Sequence, residues 1–305
     1  MSRSARTPTA FLIRSAIAIG FLCLPGTATA DPIRDRIIEQ LAVWRGPLPF
    51  PAGMTRIADI AYGPAPEQKM DVYRPENAAA APVILMVHGG AWTAGDKADP
   101  AIIQNKLARW IPKGIILVSA NYRLSPGANP LQQAEDIAKA LALAQSLAPA
   151  WGGDPARFIL MGNSAGAHLV TLLAADPDIA VRQGAQPWLG VISLDSAGFD
   201  ITRTMAAPHF PYYDAVFGTD EAYWRDASPT LRMNKAPAPI LLACSMRWND
   251  KCEGARRFAA KVDALGGRAV LLPVHFTHGN VNDMVGQAED YTAAIEDFMR
   301  MLGLP

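Results

Sequence analysis

Short apolar runs alternate with longer segments of helical periodicity along most of the 305-residue chain. Strand-like runs fall near 56–62, 69–73, 83–87, 115–120, 158–162, 190–195, 240–244 and 269–274. Between them, apolar residues recur at helical spacing around 100–110, 131–147, 165–174, 254–265 and 289–301. Runs such as Val83-Ile84-Leu85-Met86-Val87 are apolar at every position, as a strand covered on both faces requires, whereas a half-solvated strand alternates. Strand and helix in alternation predict an α/β protein: a mostly parallel, eight-stranded sheet with helices on both faces. The segment 201–223, with Pro208, Phe210, Pro211, Tyr212, Tyr213 and Phe217, is the least regular part and predicts a long loop over the sheet edge, whose aromatics either shape a pocket or form a local hydrophobic cluster that pins the loop.

The N-terminus follows a different pattern. Arg3, Arg6 and Arg14 precede an apolar stretch over 15–24, and Ala28-Thr29-Ala30 closes it. This reads as a signal peptide over 1–30, with mature protein from Asp31 exported to the periplasm or beyond the cell. The apolar stretch is short for a membrane span and Pro25-Gly26 interrupts it, so no stable anchor is expected after cleavage. An amphipathic helix is expected at 33–44, and the absence of repeats or a polar linker predicts one domain over 31–305.

Composition narrows the function classes. The chain carries 28 basic and 28 acidic residues, and loss of the leader arginines tips the balance slightly acidic, which disfavours nucleic acid as a partner. No CxxC pair, HExxH string or glycine-rich dinucleotide motif is present, so neither a metal nor a cofactor is expected. Cys244 and Cys252 are the two cysteines beyond the leader, an even count that permits a disulfide in an oxidising compartment.

Two segments carry candidate chemistry. Gly162-Asn163-Ser164-Ala165-Gly166 is a G-x-S-x-G string set between a strand-like run and a helix-like one, the context of a nucleophile elbow, and makes Ser164 the candidate nucleophile. Upstream, a buried strand ends in His88-Gly89-Gly90-Ala91-Trp92. The backbone amides of Gly89, Gly90 or Ala91, together with Ala165, are candidate donors to an oxyanion. His88 reads as a side chain that holds this loop.

With these segments in view, the chain resembles the α/β-hydrolase superfamily, and within it the hormone-sensitive-lipase-like and kynurenine-formamidase-like esterases. The resemblance rests on His88-Gly89-Gly90-Ala91-Trp92 with Gly95-Asp96-Lys97, on Asn121-Tyr122-Arg123-Leu124-Ser125-Pro126, on Gly153-Asp154-Pro155 before the elbow and on Ala227-Ser228-Pro229, and it runs from about Met70 to the C-terminus. Two positions depart from the family pattern: Ala91 where glycine is common, and Asn163 where His or Asp is usual. Neither removes a backbone donor, but both bear on the substrate class.

The resemblance implies a triad in the chain order serine, acid, histidine. His88 and His209 lie outside the expected stretch, and His168 sits one turn into the elbow helix, pointing along it. His278, in a His278-Gly279-Asn280-Val281-Asn282 stretch resembling the family's base-bearing loop, is preferred to His275. Asp250, in the loop after the 240–244 strand, is the preferred acid, with Asp195 and Asp200 as rivals and Asp283 further behind. The expected activity is hydrolysis of a small carboxylic ester through an acyl-enzyme. An amidase of the arylformamidase type and a catalytically silent ligand-binding protein are the alternatives.

Overall fold

The computed structural model describes residues 50–305 apart from 197 and 248–251. The leader, the 33–44 segment and Asp250 therefore lie outside the described residues. Eight strands form a single sheet: β1 (Met54–Ala61), β2 (Lys69–Pro75), β3 (Ala81–Val87), β4 (Ile116–Ala120), β5 (Gly153–Asn163), β6 (Gly190–Leu194), β7 (Ile240–Ser245) and β8 (Ala269–Val274). Their order across the sheet is β1-β2-β4-β3-β5-β6-β7-β8. The β1–β2 and β2–β4 pairs are antiparallel and every pair from β4 to β8 is parallel.

The all-apolar strands are explained by two separate cores. On β3, Val83, Leu85 and Val87 pack with one cluster while Ile84 and Met86 pack with another, because successive side chains leave a strand on opposite faces. The first cluster takes in buried residues of α2 (Pro130–Leu147), α3 (Ala165–Ala175) and α5 (Glu253–Ala264); the second takes in α1 (Pro100–Trp110) and α7 (Glu289–Met301). Helix α3 is buried at every position, which accounts for its apolar composition all round.

Between β6 and β7 the expected irregular loop is instead a string of short helices, among them α4 (Pro211–Phe217). Asp200 caps a helix over Ile201–Met205, Asp220 caps one over Glu221–Asp226, and Pro211 and Pro229 each open a helix at its first position. These stretches are too short for helical periodicity to register in sequence, although their Asp and Pro start signals are present. The other revision concerns the stretch after β8, where Thr277 caps a helix α6 (His278–Asp283) in place of a loop.

Parallel registry positions the chemistry. Val87 pairs with Gly162 and Gly162 with Ser193, so β3, β5 and β6 end in line. Strand β7 extends alongside, with Leu194 opposite Ala243. The segments that follow these ends begin at His88, Ser164, Asp195 and Met246, and they converge at one edge of the sheet, where an open α/β sheet binds ligands.

Candidate active site

Ser164 sits at a sharp turn between β5 and α3 with φ 54° and ψ −117°, a conformation a non-glycine residue adopts only under constraint. Its amide donates to Leu194 O at 3.0 Å and its carbonyl accepts from His168 N at 3.1 Å, so neighbouring strand and following helix pin it from both sides. Gly89 packs against this turn so closely that a Cβ there would lie 2.9 Å from Ser164 Cβ and from Asn163 O. No larger residue fits between the two loops.

His278 reaches Ser164 from the far side of the sheet edge. Its Nε2 lies 2.8 Å from Ser164 Oγ and its Nδ1 lies 2.8 Å from Asp195 Oδ2. A carboxylate accepts only, so Nδ1 carries the proton, Nε2 presents its lone pair, and Ser164 Oγ–H is the donor. Asp195 is nearly buried and is itself fixed: its amide donates to Ala243 O, and Ser245 N donates to its Oδ1, both at 2.8 Å. At φ 55° its backbone turns sharply off the end of β6.

Among the described residues the carboxylate on His278 is Asp195, a rival candidate in the sequence, and Asp250 falls within the stretch outside them. Registry brings Asp195 there: β6 is the immediate neighbour of the strand that carries Ser164, and Leu194 already holds the Ser164 amide, which brings the next residue beside the base. The other candidates have different roles. Asp200 caps a short helix, Asp283 accepts from Asn282 Nδ2 at 3.1 Å, and His275 is exposed.

The glycine loop completes the arrangement. Gly90, Ala91 and Trp92 have consecutive φ values of 111°, 49° and 62°, a tight left-handed turn directly after Gly89. Among the described residues the amides of Ala91 and Ala165 donate to no protein acceptor, and both residues line the cavity beside Ser164. His88 holds the loop as expected: it is fully buried, its Nδ1 lies 2.7 Å from Gly89 O, its ring stacks on Tyr122 at 4.5 Å, and burial pushes its pKa down. Lys97 and Asp96 of the following segment are tied to the sheet edge, Lys97 by an ion pair to buried Asp71 at 2.9 Å and Asp96 by Asn121 Nδ2 at 2.9 Å.

Ser164 and His278 open into a cavity of about 590 Å³. The segment between β6 and β7 supplies the aromatic lining residues Phe199, Phe210, Tyr212 and Tyr213, and Arg203 and Arg257 also line the cavity. Cys244 and Cys252 are joined in a disulfide that forms part of the opposite wall. Among the described residues no group of three or more His, Cys, Asp or Glu side chains is arranged to hold a metal ion.

This sheet, with a serine at the elbow after its fifth strand, is that of an α/β-hydrolase. Residues 70–184 match the BD-FAE family model, and this match together with the esterase relatives supports an α/β-hydrolase of the hormone-sensitive-lipase-like kind. It is similar to Esterase LipQ of Mycobacterium tuberculosis, 36% identical over 156 residues covering 46% of this chain and 36% of that protein. It is 33% identical over 225 residues to Esterase LipC of the same organism, covering 68% and 55%. It is 27% identical over 234 residues to the isoprenylcysteine alpha-carbonyl methylesterase ICME of Arabidopsis thaliana, covering 70% and 54%. The chain thus spans between about a third and about half of the length of these relatives. Among solved structures, esterase B of Lactobacillus rhamnosis superposes with a TM-score of 0.68 at 19% identity, covering 88% and 90% of the two chains, and esterase 2 of Thermogutta terrifontis with 0.67 at 19%, covering 85% and 98%. At that identity the likeness is one of fold.

Proposed function

We propose that this protein is an exported serine hydrolase that cleaves small carboxylic esters through an acyl-enzyme, its mature part a single α/β-hydrolase domain over 31–305. The observation that carries the reading is one imidazole bonded at both ends: His278 lies between the Ser164 hydroxyl and the Asp195 carboxylate, 2.8 Å from each. That geometry suits general-base activation of an alcohol nucleophile.

In the proposed reaction Ser164 Oγ attacks the ester carbonyl as its proton passes to His278 Nε2. Asp195 holds the imidazole orientation and stabilises the imidazolium. The carbonyl oxygen, now negative, is received by the amides of Ala165 and of Gly89, Gly90 or Ala91, which work best where they are fixed in advance and shielded from water. Collapse of the tetrahedral intermediate expels the alcohol, which takes the proton from His278. Water then attacks the acyl-enzyme with the same base and regenerates Ser164.

The names of the relatives, esterases and a methylesterase, support an ester as substrate. The cavity of about 590 Å³ supports a compact one. Export is supported by the arginine-led leader with its Ala28-Thr29-Ala30 end, and by a Cys244–Cys252 disulfide of the kind that persists in oxidising compartments. A pocket that only binds a ligand has no use for a strained serine aimed at a correctly oriented histidine.

A turnover panel tests the reading and separates it from the amidase alternative. Purified protein is expected to hydrolyse p-nitrophenyl acetate and butyrate far faster than the matching anilides and N-formyl-arylamines. A preference for the formamides would assign the same serine to amide chemistry instead.

A further inference from the structure

His168 has no place in the proposed proton path, yet it is completely buried and touches several segments that build the site. It lies one turn into α3, where its amide bonds Ser164 O at 3.1 Å. Its Nε2 lies 2.7 Å from Ala227 O, at the exit of the short helices, and Trp92 Nε1 lies 3.0 Å from its Nδ1. A carbonyl only accepts and an indole N–H only donates, so the tautomer is fixed: Nε2 carries the hydrogen and Nδ1 receives the indole. Burial lowers the pKa of His168 to about 4, which keeps the ring neutral and this pattern intact at ordinary pH. On its other face Gly198, three residues past Asp195, packs so tightly that a Cβ there would lie 2.6 Å from the ring.

Trp92 is the residue through which this imidazole reaches the glycine loop. Both Ala91 and Trp92 hold left-handed backbone conformations that L-residues avoid, so their turn persists only if outside contacts impose it. Those contacts are on the page. Trp92 O accepts from Ser125 N and from Gln133 Nε2, each at 2.9 Å. The indole ring meets Phe217 edge to face at 4.9 Å and His168 at 5.4 Å. The hydrogen bond to His168 is the one contact that ties the indole's single polar atom to the helix bearing the nucleophile.

We propose that His168 is a positioning residue: through its hydrogen bond to Trp92 it sets the left-handed turn at Ala91 and so the placement of the oxyanion donors relative to Ser164. This inference rests on the ester-hydrolase reading above. It assigns the histidine to the elbow helix's grip on the oxyanion loop, and accounts for a buried imidazole one turn into a largely apolar helix.

The test compares His168→Phe, which keeps the ring volume and removes both bonds, with His168→Gln, which retains a donor and an acceptor. Each is assayed for kcat and KM on p-nitrophenyl butyrate, for inhibition by an alkyl trifluoromethyl ketone, and for Tm. The ketone's adduct with a serine places a negative oxygen in the oxyanion site and so reports its geometry. Misplacing oxyanion donors is expected to lower kcat and ketone affinity together by about tenfold in His168→Phe with KM moved less than about twofold, and His168→Gln to recover part of both. Trp92→Phe, which removes only the indole donor, is expected to show the same paired loss and decides the matter should His168→Phe not fold. A variant with lowered Tm but with kcat and ketone affinity within about twofold of the parent would reduce His168 to a packing residue and overturn the inference. Absence of turnover in the parent would instead strike the ester-hydrolase reading.

Discussion

The imidazole of His278 is oriented by Asp195, whose Oδ2 stands 2.8 Å from Nδ1 while the Ser245 amide holds Oδ1 at 2.8 Å. Base, acid and the end of β7 are therefore linked in one chain of hydrogen bonds leading from Ser164 into the sheet. Asp195→Asn removes the charge and lets the imidazole take the wrong tautomer, and is expected to lower kcat by roughly 10³ to 10⁴-fold. Asp250→Asn is expected to stay within a few-fold of the parent. Steady-state kinetics on both variants checks the assignment, and a larger loss in Asp250→Asn would return the role to that residue.

The Cys244–Cys252 disulfide borders the same region, since Cys244 immediately precedes Ser245. Closing so short a loop restrains the unfolded chain by an amount on the order of 2 to 3 kcal/mol. Reduction, or Cys252→Ala, is therefore expected to lower the Tm by several degrees and to lower kcat through a looser Ser245–Asp195 contact. Calorimetry and turnover with and without dithiothreitol measure both effects.

Lys106 supplies a pH-dependent term behind the base. It is buried, donates to Asn282 Oδ1 at 2.8 Å and Asn282 O at 3.1 Å within α6, and burial pulls its pKa down to about 7. Between that value and the usual lysine range the unfolded chain binds a proton that the folded protein does not, so stability rises with pH across this window. The stability of the parent relative to Lys106→Met is accordingly expected to increase from pH 7 to pH 10 in denaturant titrations. An unchanged difference would show that the ammonium is not desolvated.

Glu296 acts in the opposite pH range. Arg109 donates to it at 2.8 and 2.9 Å, and Lys113 and Trp110 also donate, which together bring its pKa down to about 2. A carboxylate with a depressed folded pKa contributes stability above its unfolded value, lost as pH falls through the folded one. Glu296→Gln is expected to destabilise at pH 7 by up to about 3 kcal/mol and by progressively less from pH 4.5 to pH 2. Unfolding midpoints of parent and variant that stay equally far apart across that range would contradict the assignment.

Much of the fold was legible because apolar runs and helical periods have a direct physical cause in two-sided burial: the helix over Pro100–Trp110 and the strand over Ala269–Val274 fall where periodicity puts them. Ser164 and His278 were legible because an elbow and a base loop leave local signatures in small residues and chain order. The contact between His278 and Asp195 was less so. Asp195 and Asp200 both follow β6 in the right order and Asp250 lies outside the described residues; that the end of β6 comes beside Ser164 is a property of parallel registry that has no local signal. His168 was dismissed as a base on its helix position, correctly by geometry, but its bond to Trp92 spans 76 positions and is visible only in three dimensions.

The central claim is that Ser164 is an activated nucleophile. Intact-mass spectrometry after treatment with a fluorophosphonate tests it most directly, with parent and Ser164→Ala protein run side by side and p-nitrophenyl ester turnover read from the same samples. The account predicts a single adduct on the parent, none on Ser164→Ala, and a fall in kcat of roughly 10⁴-fold or more in that folded variant. An adduct that persists in Ser164→Ala, or undiminished turnover without the hydroxyl, would contradict it.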